Sequence, residues 1–94
     1  MSYRLSPLAE NDLEEIWLYT MNEWSPDQAD RYVGQIIDAI EELASGQKQG
    51  WKVDIPEDYL KYPVGRHMVF FRQIDGVTDV IRILHQSMDV ERHI

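Results

Sequence analysis

The residues that most constrain this chain are Asp75-Gly76. They separate two long runs, Gly65–Ile74 and Val77–His85, in which apolar side chains predominate and polar ones recur. An Asp-Gly pair supplies the positive φ angles of a two-residue hairpin loop. The spacing therefore predicts two long antiparallel strands. If the loop has two residues, Ile74 faces Val77. Working outward, Arg72 faces Asp79, Phe70 faces Ile81, Met68 faces Ile83 and Arg66 faces His85, all on one face. The other face carries Phe71 with Val80, Val69 with Arg82, and His67 with Leu84. Both faces are substantially apolar, so one must cover the rest of the domain and the other is open to a partner. A one-residue slip would exchange these assignments.

The preceding chain reads as a helical platform for that hairpin. Tyr3-Arg4-Leu5 is a short strand. Ser6 is a helix cap and Pro7 suits the first helical position. Leu8, Ala9, Leu13, Ile16, Trp17, Met21 and Trp24 then mark one face of a helix running to about Asn22. Ser25-Pro26-Asp27-Gln28 starts a second helix with capping-box spacing. Ala29, Tyr32, Val33, Ile36, Ile37, Ile40, Leu43 and Ala44 define its apolar face, and Gly46 is its C-terminal cap. A break this short makes an antiparallel helical hairpin. Residues 47–58 lack periodicity and read as a surface loop, with Trp51 and Ile55 as its anchors. Tyr59–Val64 is a third strand, with Pro63 at an edge or at the strand end. The expected fold is α+β: one domain over residues 1–94, in the order β-α-α-β-β-β, with the helical hairpin packed on an antiparallel sheet and a short C-terminal tail.

Charge divides the chain. The formal net charge is −8, yet residues 1–58 hold 13 acids and 4 bases, whereas residues 59–94 hold 4 acids and 5 bases plus all three histidines. So acidic a chain lacks the general cationic surface that nucleic acid requires. There is no cysteine, which excludes disulfides and thiolate metal sites. No apolar run approaches the roughly 18 residues of a membrane span, and the N-terminus shows no signal region. These features point to a cytoplasmic protein with no membrane partner. The motifs of nucleotide-binding loops, zinc proteases and serine hydrolases are absent.

The residues able to do chemistry gather at the open end of the hairpin and in the tail: Arg66, His67, Arg82, His85, Gln86, Met88, Asp89, Arg92 and His93. They offer charge-assisted donors and groups titrating near neutrality, suited to a phosphate-bearing ligand or to an acidic protein surface. The same set also suits a structural network in which Arg82 and His85 hold the tail through Asp89. His67 and His85 fall on opposite faces in the pairing above, so no metal site is expected.

Pro63-Val64-Gly65-Arg66-His67-Met68-Val69-Phe70-Phe71-Arg72, Ile81-Arg82-Ile83-Leu84-His85-Gln86-Ser87-Met88-Asp89 and the closing Arg92-His93-Ile94 resemble the C-terminal signature of ParE toxins. These form a branch of the RelE/ParE superfamily. Tyr3-Arg4-Leu5-Ser6, Ala9, Asp12-Leu13, Ile16, Tyr19-Thr20, Trp24, Gln28-Ala29 and Tyr32 match as well, so the resemblance spans nearly everything outside the 47–58 loop. It implies the same fold and a plasmid-stabilising toxin that inhibits DNA gyrase by protein–protein binding, trapping the cleaved-DNA complex. It implies no enzyme activity and no cofactor. A ParD-like antitoxin would wrap the toxin with its C-terminal segment and bind operator DNA with its N-terminal domain, the toxin alone binding none. Trp17, Trp24, Tyr59, Tyr62 and Val64 are the candidate antitoxin contacts. Ribonuclease relatives that cut mRNA on the ribosome place an Arg just after the position of His85 and a Tyr about six residues later. Here those positions hold Gln86 and Arg92. The remaining alternatives are that RelE-like ribonuclease and a non-toxic, antitoxin-binding ParE scaffold.

Overall fold

The computed structural model describes residues 2–53 and 58–87. Its elements are β1 (Ser2–Leu5), α1 (Pro7–Glu23), α2 (Pro26–Ser45), β2 (Trp51–Lys52), β3 (Leu60–Val64), β4 (His67–Ile74) and β5 (Val77–His85). They form one five-stranded sheet in the order β1-β5-β4-β3-β2, carrying the two helices.

Local signals set the helix ends. The Ser6 hydroxyl accepts from the Ala9 amide at 3.0 Å and donates to the Ile81 carbonyl at 2.7 Å, so it caps α1 and ties it to β5. Ser25 accepts from the Gln28 amide at 3.0 Å and caps α2. Gly46 ends α2 at φ 84°, a left-handed conformation that glycine adopts without steric cost.

The apolar face of α1 differs from the one its spacing predicts. Ala9, Leu13 and Ile16 are buried, but Leu8 is 56% and Trp24 77% exposed. Asp12 and Thr20 occupy buried places instead. Both have partners: the Thr20 hydroxyl donates to the Ile16 carbonyl, and Asp12 takes up donors from β5. On α2 the predicted face holds: Ala29, Ile36, Ile40, Leu43 and Ala44 are all buried, with Ala39 beside them. The helices meet Val69, Phe71, Val80 and Ile83 of the sheet in one core, flanked by Leu60, Tyr62 and Val64.

The sheet is mixed, not wholly antiparallel, because β1 runs parallel to β5. The segment read as a loop contains a further strand, β2, which pairs antiparallel with β3 on the opposite edge of the sheet. Pro63 lies on the side of β3 beyond the two-residue reach of β2, where no ladder bond needs its missing N–H. Trp51 stacks on Tyr62 at 5.9 Å, which anchors β2; Ile55 lies outside the described residues.

The terminal hairpin departs from its simple register in one place. Asp75 and Gly76 have φ 52° and 78°, as a two-residue loop requires. Ile74–Val77, Arg72–Asp79 and Phe71–Val80 pair as expected. Beyond them the pairing shifts at Phe70/Phe71, leaving Ile81 as an extra residue, so Phe70 faces Arg82, Met68 faces Leu84 and His67 faces His85. The pairs expected from an unbroken ladder (Arg66 with His85, His67 with Leu84) do not form.

Candidate functional site

The bulge builds the corner at the open end of the hairpin. It places His67 and His85 opposite one another on the same face, ring centroids 5.4 Å apart and nearly perpendicular. An unbroken ladder would have put them on opposite faces.

Tyr32, from α2, organises the turn between β3 and β4. Its hydroxyl lies 2.6 Å from His67 Nδ1, accepts the Arg66 amide at 3.0 Å and donates to the Val64 carbonyl at 3.4 Å. Its ring also explains Gly65. That residue sits at φ 56°, and a Cβ there would come within 2.7 Å of the Tyr32 ring. On the other strand, the Gln86 amide donates to the Arg66 carbonyl at 3.0 Å, and Gln86 Nε2 donates to the Gly65 carbonyl at 3.1 Å. The Ser87 amide donates to His85 Nδ1 at 3.2 Å. A backbone N–H can only donate, so Nδ1 of the neutral His85 ring is the acceptor and Nε2 carries the proton. Burial lowers the pKa of His67, and the neighbouring His85 lowers it further.

Arg82 is placed differently from its companions in the sequence. Its Nε and Nη2 donate to the two Asp12 carboxylate oxygens at 2.8 and 2.9 Å. Asp12 Oδ2 also accepts the Ile83 amide at 2.9 Å. The carboxylate thus stands in for a neighbouring strand along the part of β5 that β1 does not reach, and it raises the Arg82 pKa. Arg82 is thereby linked to α1; the Asp89 of its expected link to the tail lies outside the described residues. Met88, Asp89, Arg92 and His93 lie outside the described residues. Among the described residues no three His, Cys, Asp or Glu side chains gather as metal ligands.

The candidate antitoxin contacts fall into two groups. On the helices, Trp17 is half-buried and donates from Nε1 to Asp30 at 2.8 Å, while Trp24 projects into solvent. At the sheet, Tyr59 lies under the Arg72 guanidinium at 5.4 Å, Tyr62 carries Trp51, and Val64 packs against the core. Asp12 and Tyr32 are the residues of this region that motif and charge reasoning did not single out as functional. Asp12 is one of several acids early in α1, and Tyr32 reads as one more member of an apolar face.

The family pattern described as "ParE toxin of type II toxin-antitoxin system, parDE" matches residues 3–90. The chain belongs to the ParE toxin family. Among curated relatives, Toxin ParE1 of Mycobacterium tuberculosis (strain ATCC 25618 / H37Rv) is 42% identical over 94 residues, covering 98% of this chain and 96% of the relative. Toxin ParE1 of Caulobacter vibrioides is 34% identical over 93 residues, with the same coverage. Among solved structures, the chromosomal ParDE system from P. aeruginosa superimposes with a TM-score of 0.78 at 20% identity, covering 90% of this chain and 95% of that one. The RelBE2 toxin–antitoxin complex from Mycobacterium tuberculosis gives 0.57 at 16% identity, covering 90% and 96%. These structural likenesses establish the fold that ParE chains share with RelE-type ones. Gln86, the residue set against the ribonuclease pattern in the sequence, is bound through its side chain to the Gly65 carbonyl.

Proposed function

We propose that this chain is a toxin that inhibits DNA gyrase by protein–protein binding and is neutralised by a ParD-like antitoxin. The observation that carries the reading is the chemistry of the corner. In-line attack by a ribose 2′-hydroxyl needs an acid–base pair and positive charge against the developing phosphorane. At this corner Gln86 stands in place of a cation and braces a turn, and Arg82 is committed to Asp12. What remains suits recognition: Arg66 and His85 beside the start of the tail. The candidate target contacts are Arg66, His67, His85 and Gln86 together with Met88, Asp89, Arg92 and His93.

One observation favours the RelE-like ribonuclease as the second reading. The bulge sets two imidazoles side by side, and the His85 ring presents an Nε2 proton. Parallel assays of the purified protein separate the readings. The expected result is inhibited gyrase supercoiling with accumulated cleaved DNA, and no cutting of mRNA on ribosomes. Ribosome-dependent cuts would assign the ribonuclease. Silence in both assays with tight antitoxin binding would assign the non-toxic scaffold.

A further inference from the structure

Strand alternation separates the two faces of the sheet. Leu5, Leu60, Tyr62, Phe71 and Val80 belong to the core under the helices or pack against it. Their strand neighbours Arg4, Lys61, Arg72 and Asp79 therefore lie on the outer face. Register sets them side by side. Arg4 is opposite Asp79, and Asp79 is opposite Arg72. Lys61, opposite Phe70, is diagonal to Arg72.

Asp79 serves one of its two cationic neighbours. Its carboxylate accepts Arg4 Nε at 2.8 Å and Arg4 Nη2 at 3.0 Å. Arg72 turns the other way, and its guanidinium carbon lies 5.4 Å from the centre of the Tyr59 ring. The Arg72 Nε is buried without a hydrogen-bond partner, and its two Nη groups are not sealed in this way. Among the described residues no carboxylate lies within ion-pair distance of Arg72 or Lys61. A buried donor without an acceptor is rare in a folded protein and calls for a reason. Here it accompanies a planar fork that Tyr59 holds in place, and such a fork matches the paired oxygens of an oxyanion.

Charge selects the oxyanion. With Asp79 engaged by Arg4, Arg72 and Lys61 leave two positive charges on this face. A phosphate monoester carries about −1.5 to −2 near pH 7 and three strong acceptor oxygens, enough for both cations. A carboxylate would neutralise one and leave the other. The exposed acids of the helices stand on the opposite side of the sheet, at least a helix diameter or roughly 10 Å away, beyond a Debye length of about 8 Å at physiological salt. We infer that Arg72 and Lys61 form a phosphate-monoester site on the outer face, flanked by the Arg4–Asp79 pair. The phosphate oxygens accept from the Arg72 Nη groups and from Lys61 Nζ. The phosphate belongs to a free nucleotide or to the 5′ end of a nucleic-acid strand. The site is at the turn end of the terminal hairpin, away from the His67–His85 corner, and it involves neither gyrase nor antitoxin.

The test uses the full-length protein. Inorganic phosphate is titrated in while NMR follows the Arg72 Nε–H signal, and calorimetry gives the affinity. A saturable shift is expected, with acetate at the same ionic strength at least tenfold weaker. Arg72→Met keeps an unbranched stem over Tyr59. It is expected to melt as wild type does and to bind phosphate at least tenfold more weakly. Lys61→Gln retains the Arg72 signal and is expected to weaken binding threefold or more. Adenosine 5′-monophosphate and a 5′-phosphorylated oligonucleotide, each against its 5′-hydroxyl counterpart, distinguish the sources: tighter binding of the oligonucleotide supports a strand end, and equal binding supports a free nucleotide. The absence of a saturable shift in wild type, acetate binding as tightly as phosphate, or binding within twofold of wild type in folded Arg72→Met would overturn the site. Unchanged affinity in Lys61→Gln would overturn the pairing of Lys61 with Arg72, and decides the matter if Arg72→Met does not fold.

Discussion

At the scale of the residue, Asp12 does most to join the two halves of the fold. It is buried, it holds Arg82 through both oxygens, and it satisfies the Ile83 amide on the edge of β5 beyond the reach of β1. Asp12→Ala leaves a buried amide unsatisfied, at about 1–3 kcal/mol, and removes a charge-assisted bond as well. A loss of roughly 3 kcal/mol is expected, read as a lower urea midpoint at unchanged slope. Asp12→Asn keeps an acceptor for Ile83 and should lose less. His67 sets a pH dependence. Burial and His85 hold its pKa below the ordinary 6.5. The folded ring therefore binds its proton at lower pH than the unfolded one. The stability that goes with neutral His67 is complete above the unfolded value, and it declines as pH falls from there toward the folded value. Urea midpoints across that range should fall less steeply in His67→Gln than in wild type; parallel slopes would show that His67 does not contribute. Neither role was legible in the sequence. Asp12 meets partners 70 and 71 positions away, and no local pattern separates it from Glu10, Glu14 or Glu15.

At the scale of the element, what was legible was what is local. The Ser6, Ser25 and Gly46 caps lie within a few residues of the groups they satisfy, and each forms as its spacing predicts. Ser25 lies between two helices with almost no intervening chain and caps the second. Ser25→Ala should cost about 1 kcal/mol, measurable as a lowered thermal midpoint. Ser25→Asp should keep most of the stability, because the carboxylate accepts the same amide; equal losses in the two variants would mean that the hydroxyl's bond is immaterial. The hairpin shows where local reading stops. Its loop follows from Asp75-Gly76, but the bulge at Ile81 has no turn residue to announce it. The shift becomes visible only in the pairing, where Leu5 and Ser6 follow β5 as far as Val80 and Ile81 and Asp12 takes over at Ile83. The same limit hid β2. A strand of two residues has no periodicity to detect.

At the scale of the molecule, the two functions proposed for the chain occupy different places. The acids cover the helices, where an antitoxin is proposed to bind, and the His67–His85 corner lies at the far end of the hairpin, where the tail begins. Among the described residues, the corner's bonds run from Val64 to Ser87 and involve Tyr32, Gly65, Arg66 and Gln86, and the core cluster is built from residues between Ala9 and Ile83. If the tail serves the target alone, removing Met88–Ile94 is expected to leave the thermal midpoint close to wild type and antitoxin affinity within about twofold. Gyrase inhibition should fall tenfold or more, the equivalent of about 1.4 kcal/mol of target binding. The measurement is a supercoiling titration of the truncated and full-length chains against one gyrase preparation, with antitoxin binding as the control for folding. A truncated chain that still inhibits at the wild-type concentration would move the target surface off the tail and back to Arg66 and the paired histidines. A chain that loses antitoxin binding and inhibition together would show instead that the two surfaces are not separate.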